Sequence, residues 1–149
     1  MTLLPRPARL ALMAALDVAL HGRTRPVSSK ALAARHDLPP RHLESMLQAM
    51  VRAGVLKSVR GPSGGYELAR ERRRLFVGEI VRVALRADEA ANGGAKGSRL
   101  LEQVLKPVFA EAENMALAKL DTISLDDLHA RALAAGFGEK ESAEGDFDI

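Results

Sequence analysis

Residues 55–68 constrain the fold of this chain more than any other stretch. Val55, Leu56, Lys57, Ser58, Val59 and Arg60 mix apolar and polar residues in a strand-like alternation. Gly61, Pro62, Ser63, Gly64 and Gly65 interrupt it, and Tyr66, Glu67 and Leu68 resume it. Alternation on both sides of a Gly/Pro cluster predicts a two-stranded hairpin with a tight tip. Arg60 stands where the first strand runs into that tip, directly after a helix-rich segment that ends at Gly54. A helical unit followed at once by a small hairpin with a basic tip is the plan of a winged helix-turn-helix. In that plan one helix occupies the DNA major groove and the wing reaches backbone or minor groove. The hairpin alone could equally be an ordinary surface ornament, so its surroundings must decide.

Those surroundings favour the winged plan. The chain has 149 residues, enough for one domain or a small domain with an appendage. With one Tyr, four Phe and no Trp, its core must be built from Leu, Ala, Val and Met, a composition that favours helix. There is no cysteine, which excludes disulfides, thiolate metal sites, thiol redox switching and a cysteine nucleophile. No apolar run is long enough to span a membrane, and residues 1–9, with two prolines and two arginines, do not read as a signal peptide. A cytoplasmic location is therefore expected. The net charge of +3 conceals an asymmetry. Residues 1–86 carry 16 basic against 6 acidic side chains, and residues 87–149 carry 6 against 13. A basic front half suggests contact with a polyanion, whereas without the wing it would be ordinary solvated charge.

Read in order, residues 7–21 predict a helix with Leu10, Met13, Ala14 and Val18 inward, flanked by Leu16 and Leu20 and stopped by Gly22. Val27 is a short strand residue. Ser28 or Ser29 caps a helix ending at His36, with Ala31, Leu32 and Ala34 inward. After the turn at residues 37–39, Pro40 suits the first position of a helix running to about Ala53, with Leu43, Met46, Leu47, Met50 and Val51 buried. Past the wing, the basic run of residues 70–74 reads as a solvated loop within reach of phosphate. Residues 78–87 are helical, and residues 88–97, rich in glycine and small residues, read as a flexible loop. Ser98 caps a long helix to about Leu120, with a kink or a break expected near residues 103–106 because Pro107 lies inside it. Ser124 caps a closing helix that Gly136 ends, with Asp126 and Asp127 in its first turn. The acidic residues beyond read as a disordered tail. The expected architecture is mainly α. A winged helix-turn-helix domain (residues 1–87) with a two-stranded wing is followed by a loop (88–97). A long dimerisation helix with its closing helix (98–136) and a tail (137–149) complete the chain.

Several of these segments resemble the IscR-type (Rrf2) family of winged helix-turn-helix transcription regulators. Pro40, Arg41, His42, Leu43 and Glu44, with Leu47, are similar to the opening of the family's recognition helix. Residues 52–69 resemble its wing most specifically, residues 77–81 the helix start after the wing, and residues 123–128 the closing motif. The likeness extends over roughly residues 6–135. It implies a homodimer in which the long helix crosses its counterpart. The stripe of Leu101, Val104, Leu105, Val108, Phe109, Ala112 and Met115 agrees, since so wide an apolar face needs a surface to cover it. Part of it is expected to fold back on its own domain.

The departures from the family pattern are specific. Many members hold an iron–sulfur cluster through three cysteines between the helix after the wing and the long helix, a span that contains none here. His21, His36, His42 and His129 lie in separate segments without metal-site spacing. No cofactor is expected. Pro39 replaces the family's frequent Ser before the recognition helix, and Phe76 a frequent Thr.

Roles follow from chemistry and from the resemblance. Glu44, one turn into the recognition helix, can accept a hydrogen bond from cytosine N4, and the family reads bases with a Glu at this position. Otherwise it is a surface acid pairing with Arg41 or Gln48. Arg41 and His42, following Pro40, face phosphate or base edges. Ser28, Ser29 and Lys30 present N–H groups and side chains to phosphate. Arg60 is the candidate for a minor groove, with Ser63 and Gly64 permitting close approach. Tyr66 packs the wing onto the core. The expected partners are a palindromic double-stranded operator and a second copy of the chain, with repression as the expected role. A regulator governed by a protein partner and a degenerate interaction module that no longer binds DNA are the alternatives. An enzyme fits poorly: there is no paired acid–base constellation, and no Lys-Ser/Thr follows the wing glycines as a phosphate loop requires.

Overall fold

Local capping and turn geometry set the boundaries of several elements. The computed structural model describes residues 3–92 and 97–138. The order is α1 (Arg6–His21), α2 (Ser29–His36), α3 (Pro40–Arg52), β1 (Leu56–Val59), β2 (Gly65–Leu68), α4 (Val77–Ala91), α5 (Lys106–Leu120) and α6 (Leu125–Ala134). A single turn of 3₁₀ helix at Arg72–Arg74 precedes α4, and a π-helical turn at Leu101–Leu105 leads into α5.

Ser28, not Ser29, caps α2, accepting from the Ala31 N–H at 3.0 Å. At α6, Ser124 and Asp127 form a reciprocal capping box at 2.9 and 3.0 Å. Pro39 and Phe76, at the N-caps of α3 and α4, supply no side-chain cap. The end of α3 is tied twice. Gly54, at φ 77°, donates to the Val51 carbonyl, and Val55 donates to that of Met50. This left-handed closure satisfies two otherwise orphaned carbonyls and throws the chain straight into β1.

The strands pair antiparallel with Leu56 opposite Leu68 and Val59 opposite Gly65. Val27 adds a bridge on the other side of β2, exchanging both backbone hydrogen bonds with Tyr66 at 2.8 and 2.9 Å. A Cβ on Gly65 would lie 2.4 Å from the Val27 carbonyl oxygen, so this close approach needs glycine.

The core gathers α1, α2, α3, α4 and the wing root around Leu32, Leu43, Leu47, Met50, Leu56, Leu75, Ile80 and Leu125, all essentially buried. In α1 the buried face is Ala8, Ala11, Ala14, Ala15, Val18 and Ala19, whereas Leu10, Met13, Leu16 and Leu20 are only half-buried. Of the face expected from sequence, Ala14 and Val18 are buried, but Leu10 and Met13 give way to alanines. Small residues let α1 approach α3, α4 and α6, and the larger side chains flank that seam. In α2 the inward residues are Leu32 and Ala33, while Ala34 is exposed.

The loop expected over residues 88–97 is shorter than that. Ala87, Asp88, Glu89, Ala90 and Ala91 continue α4, good helix formers prevailing over the glycines that follow. Residues 93–96 lie outside the described residues, as does the tail from residue 139 onward. Phe137 and Gly138 belong to the turn that closes α6, with the Phe137 N–H bonded to the Ala132 carbonyl at 3.0 Å. The irregularity expected near Pro107 takes the form of the π turn. Pro107 has no N–H to offer the carbonyl four residues back, and the Lys106 N–H reaches Leu101, five residues back.

Beyond that turn α5 leans on the domain through buried Leu117 and half-buried Ala116 and Leu120, and its principal neighbour is α4. Leu101 is half-buried. Val104, Leu105, Val108, Phe109, Ala112 and Met115 are exposed, Val108 at 57% and Met115 at 77%.

Candidate nucleic-acid interface

Helix α3 divides cleanly into two faces. Leu43, Met46, Leu47, Ala49 and Met50 are buried against the core, and Pro40, Arg41, His42, Glu44, Ser45, Gln48 and Arg52 are exposed. Apolar residues at a spacing of three and four pin one side of the helix and leave the other to solvent. Helix α2 packs against α3 across the turn at residues 37–39, where Asp37 adopts the left-handed conformation at φ 50°. This is the helix-turn-helix unit.

Tyr66 joins the parts. Its backbone bridges Val27, immediately before Ser28, Ser29 and Lys30 at the start of α2. Its ring is buried, and its hydroxyl accepts from the Gln48 Nε2 of α3 at 3.5 Å. The α2 start, the exposed face of α3 and the wing are therefore wired through one residue. Lys57 is engaged across the wing with Glu67 at 3.2 Å. Arg60 is exposed at the mouth of the tip, where a turn closes from the Gly64 N–H to the Gly61 carbonyl at 3.0 Å. Ser63 is exposed and Gly64 half-buried, and a Cβ on Gly64 would strike the Val59 carbonyl oxygen at 2.2 Å.

Lys30, Arg41, His42, Glu44 and Arg60 form no side-chain hydrogen bond or ion pair with another described residue. Glu44 pairs with neither Arg41 nor Gln48. Ser28 and Ser29 are half-buried, the Ser28 oxygen being engaged as the α2 cap.

The basic run after the wing is disposed otherwise than as a free loop. Arg70 pairs with Glu79 and donates to the Gly54 carbonyl, Arg72 pairs with Asp126 at 3.3 Å, and Arg73 with Glu71 at 2.8 Å. Arg70 and Arg72 brace the wing root against α4 and α6, whereas the Arg73–Glu71 pair is local and exposed.

Sequence reasoning missed Asp17. Its side chain is 2% exposed in the middle of α1 and takes two hydrogen bonds from Arg35, at 2.7 and 2.9 Å, and one from His36 at 2.7 Å. Burial alone would raise its carboxyl. The hydrogen bonds from Arg35 and His36, with the charge of Arg35, outweigh that and hold it below the usual carboxylate value. The cluster fastens α2 to α1. The signal was available: a lone acid between Leu16 and Val18 on an apolar helix needs a partner.

Among the described residues no helix is long and apolar enough to cross a membrane, and no three His, Cys, Asp or Glu side chains are grouped to hold a metal ion.

The chain matches the Rrf2 family, described as iron-dependent transcriptional regulators, over residues 4–131. It is 32% identical over 117 residues to protein rrf2 of Nitratidesulfovibrio vulgaris, covering 76% of this chain and 77% of that protein. It is 32% identical over 125 residues to the regulator IscR of Xenorhabdus nematophila, covering 80% and 74%. The solved structure of T. potens IscR superposes with a TM-score of 0.66 at 34% identity, over 86% of each chain. The family's iron does not fit the residues present, because the span between α4 and the π turn offers no thiolate. Protein purified without oxygen is expected to carry no stoichiometric iron and no visible absorbance, and a stoichiometric iron chromophore would contradict this. A winged helix-turn-helix of this architecture, matched along most of its length, makes the chain a cysteine-free member of the Rrf2 family of transcriptional regulators and not an enzyme.

Proposed function

We propose that this regulator is a cytoplasmic homodimeric repressor that binds a palindromic operator without an iron–sulfur cluster. The observation that carries the reading is the exposed face of α3, where Arg41, His42 and Glu44 have no partner among the described residues while Leu43, Met46, Leu47 and Met50 opposite are buried. Residues 1–87 act as the DNA-binding domain and residues 98–136 as the dimerisation unit. Pro40 starts the recognition helix. Arg41, His42 and Glu44 face base edges and adjacent phosphates, Ser28, Ser29 and Lys30 hold the backbone, and Arg60 probes a minor groove with Ser63 and Gly64 at the tip. The exposed apolar residues of α5 favour a second copy as their cover.

Two variants test the interface. Glu44→Ala is expected to lose about 1–3 kcal/mol on the operator while binding to scrambled duplex is unchanged or rises. Arg60→Ala is expected to weaken binding to every sequence and to reduce the salt slope by about one unit. Both are read by equilibrium binding on operator and scrambled duplex across a salt series. If Glu44→Ala leaves discrimination intact, base reading lies elsewhere on α3.

A further inference from the structure

The centre of the open face of α3 is not Glu44. At 3.6 residues per turn, Arg41, Ser45, Gln48 and Arg52 fall within an arc of about 60°, diametrically opposite the buried Leu43, Met46, Leu47 and Met50. Glu44 lies about 70° to one side of the middle of that arc and His42 about 90° to the other. Of the central residues, Gln48 alone is wired to the wing. Its Nε2 donates to the Tyr66 hydroxyl, and Tyr66 is held in turn by its buried ring and by its two backbone bonds to Val27.

That contact has a chemical consequence. A Gln amide carries two N–H donors and one carbonyl oxygen. Tyr66 takes one donor, which leaves one N–H and the oxygen with no other partner among the described residues, on a residue that is exposed. An adenine edge in the major groove presents N7 as an acceptor and N6 as a donor, the complement of that pair. At 3.5 Å the bond to Tyr66 is long, so it biases the direction of the amide rather than locking it. We propose that Gln48 is a specificity-determining residue that reads an adenine in each half-site, and that Tyr66 is the positioning residue that orients its amide from the wing. The inference rests on the DNA-reading function proposed above.

The test is in vitro selection from randomised duplex with the full chain, comparing wild type, Gln48→Ala, Gln48→Glu and Tyr66→Phe. Binding is then measured on the selected operator and its single-base variants. Wild type is expected to select one A·T pair per half-site whose replacement by G·C costs about tenfold or more in affinity. Gln48→Ala should become indifferent to that pair, and Gln48→Glu should shift its preference to C·G, since a carboxylate accepts from cytosine N4. Tyr66→Phe keeps the buried ring and should narrow the preference at that pair alone, with binding to scrambled duplex unchanged. A common consensus and common base penalties from all four proteins would overturn the inference and leave the DNA reading standing. So would equal losses on every sequence, the signature of a brace that merely holds the wing. A wild type that selects no consensus would overturn the proposed function and the inference with it.

Discussion

Phe109→Glu is expected to leave the protein monomeric and to lower operator affinity by at least about 100-fold, because two linked half-sites raise affinity by roughly 10²–10⁴ over one. Phe109 is 56% exposed on α5, beside Val104, Leu105 and Val108, and this apolar surface has no cover among the described residues. Burying such a side chain contributes about 1.5–3 kcal/mol, and a carboxylate in its place brings two like charges together across a two-fold axis. The substitution should not unfold the domain, whose core lies elsewhere. Sedimentation and circular dichroism on the same sample separate the two effects. A folded Phe109→Glu variant that remains dimeric would refute the assignment of α5 to the interface.

Asp17→Ala is expected to destabilise the domain by about 2–3 kcal/mol and to lower Tm by roughly 5–10 °C. Removing one member of a buried ion pair commonly costs about 3–5 kcal/mol. The figure here is smaller because Arg35 and His36, 29% and 25% exposed, can turn part of their polar surface to water. The loss is also pH-dependent. The Asp17 carboxyl lies below its ordinary value in the folded chain, so its contribution is fully present above about pH 4, its usual titration range. It disappears as pH falls through the lower folded value. Thermal melts of wild type and Asp17→Ala should therefore differ most near neutrality and converge in acid. A constant gap down to pH 2 would contradict the ion-pair account.

What could be read from sequence was local, and what could not was mostly a matter of partners. The wing followed from its own alternation and glycines, and the end of α3 from Gly54, because a left-handed closure is a property of a few neighbouring residues. The caps at Ser28 and Ser124 are equally local. The buried side of α1 was misjudged because hydrophobicity favours Leu10 and Met13, whereas close helix approach favours alanine. Extension of α4 to Ala91 was missed because the glycines beyond it outweighed helix formers in the reading. The roles of Arg70, Arg72 and Arg73 depend on Glu79, Asp126 and Glu71, and proximity in sequence says nothing of the first two. At the candidate interface, residue types and spacing gave Arg41, His42, Glu44 and Arg60. The central position of Gln48 and its link to Tyr66 emerge only when α3 and the wing are seen packed together.

The central claim, sequence-specific operator binding by a dimer, is tested most directly by a mobility-shift and footprint titration on the upstream region of its own gene, run across a salt series. One protected, roughly palindromic site is expected, with half-sites about one helical turn, or a multiple of it, apart. Affinity there should fall steeply with salt, with a log–log slope of about −0.9 per phosphate contact. Equal affinity for random duplex, with little dependence on salt, would contradict it.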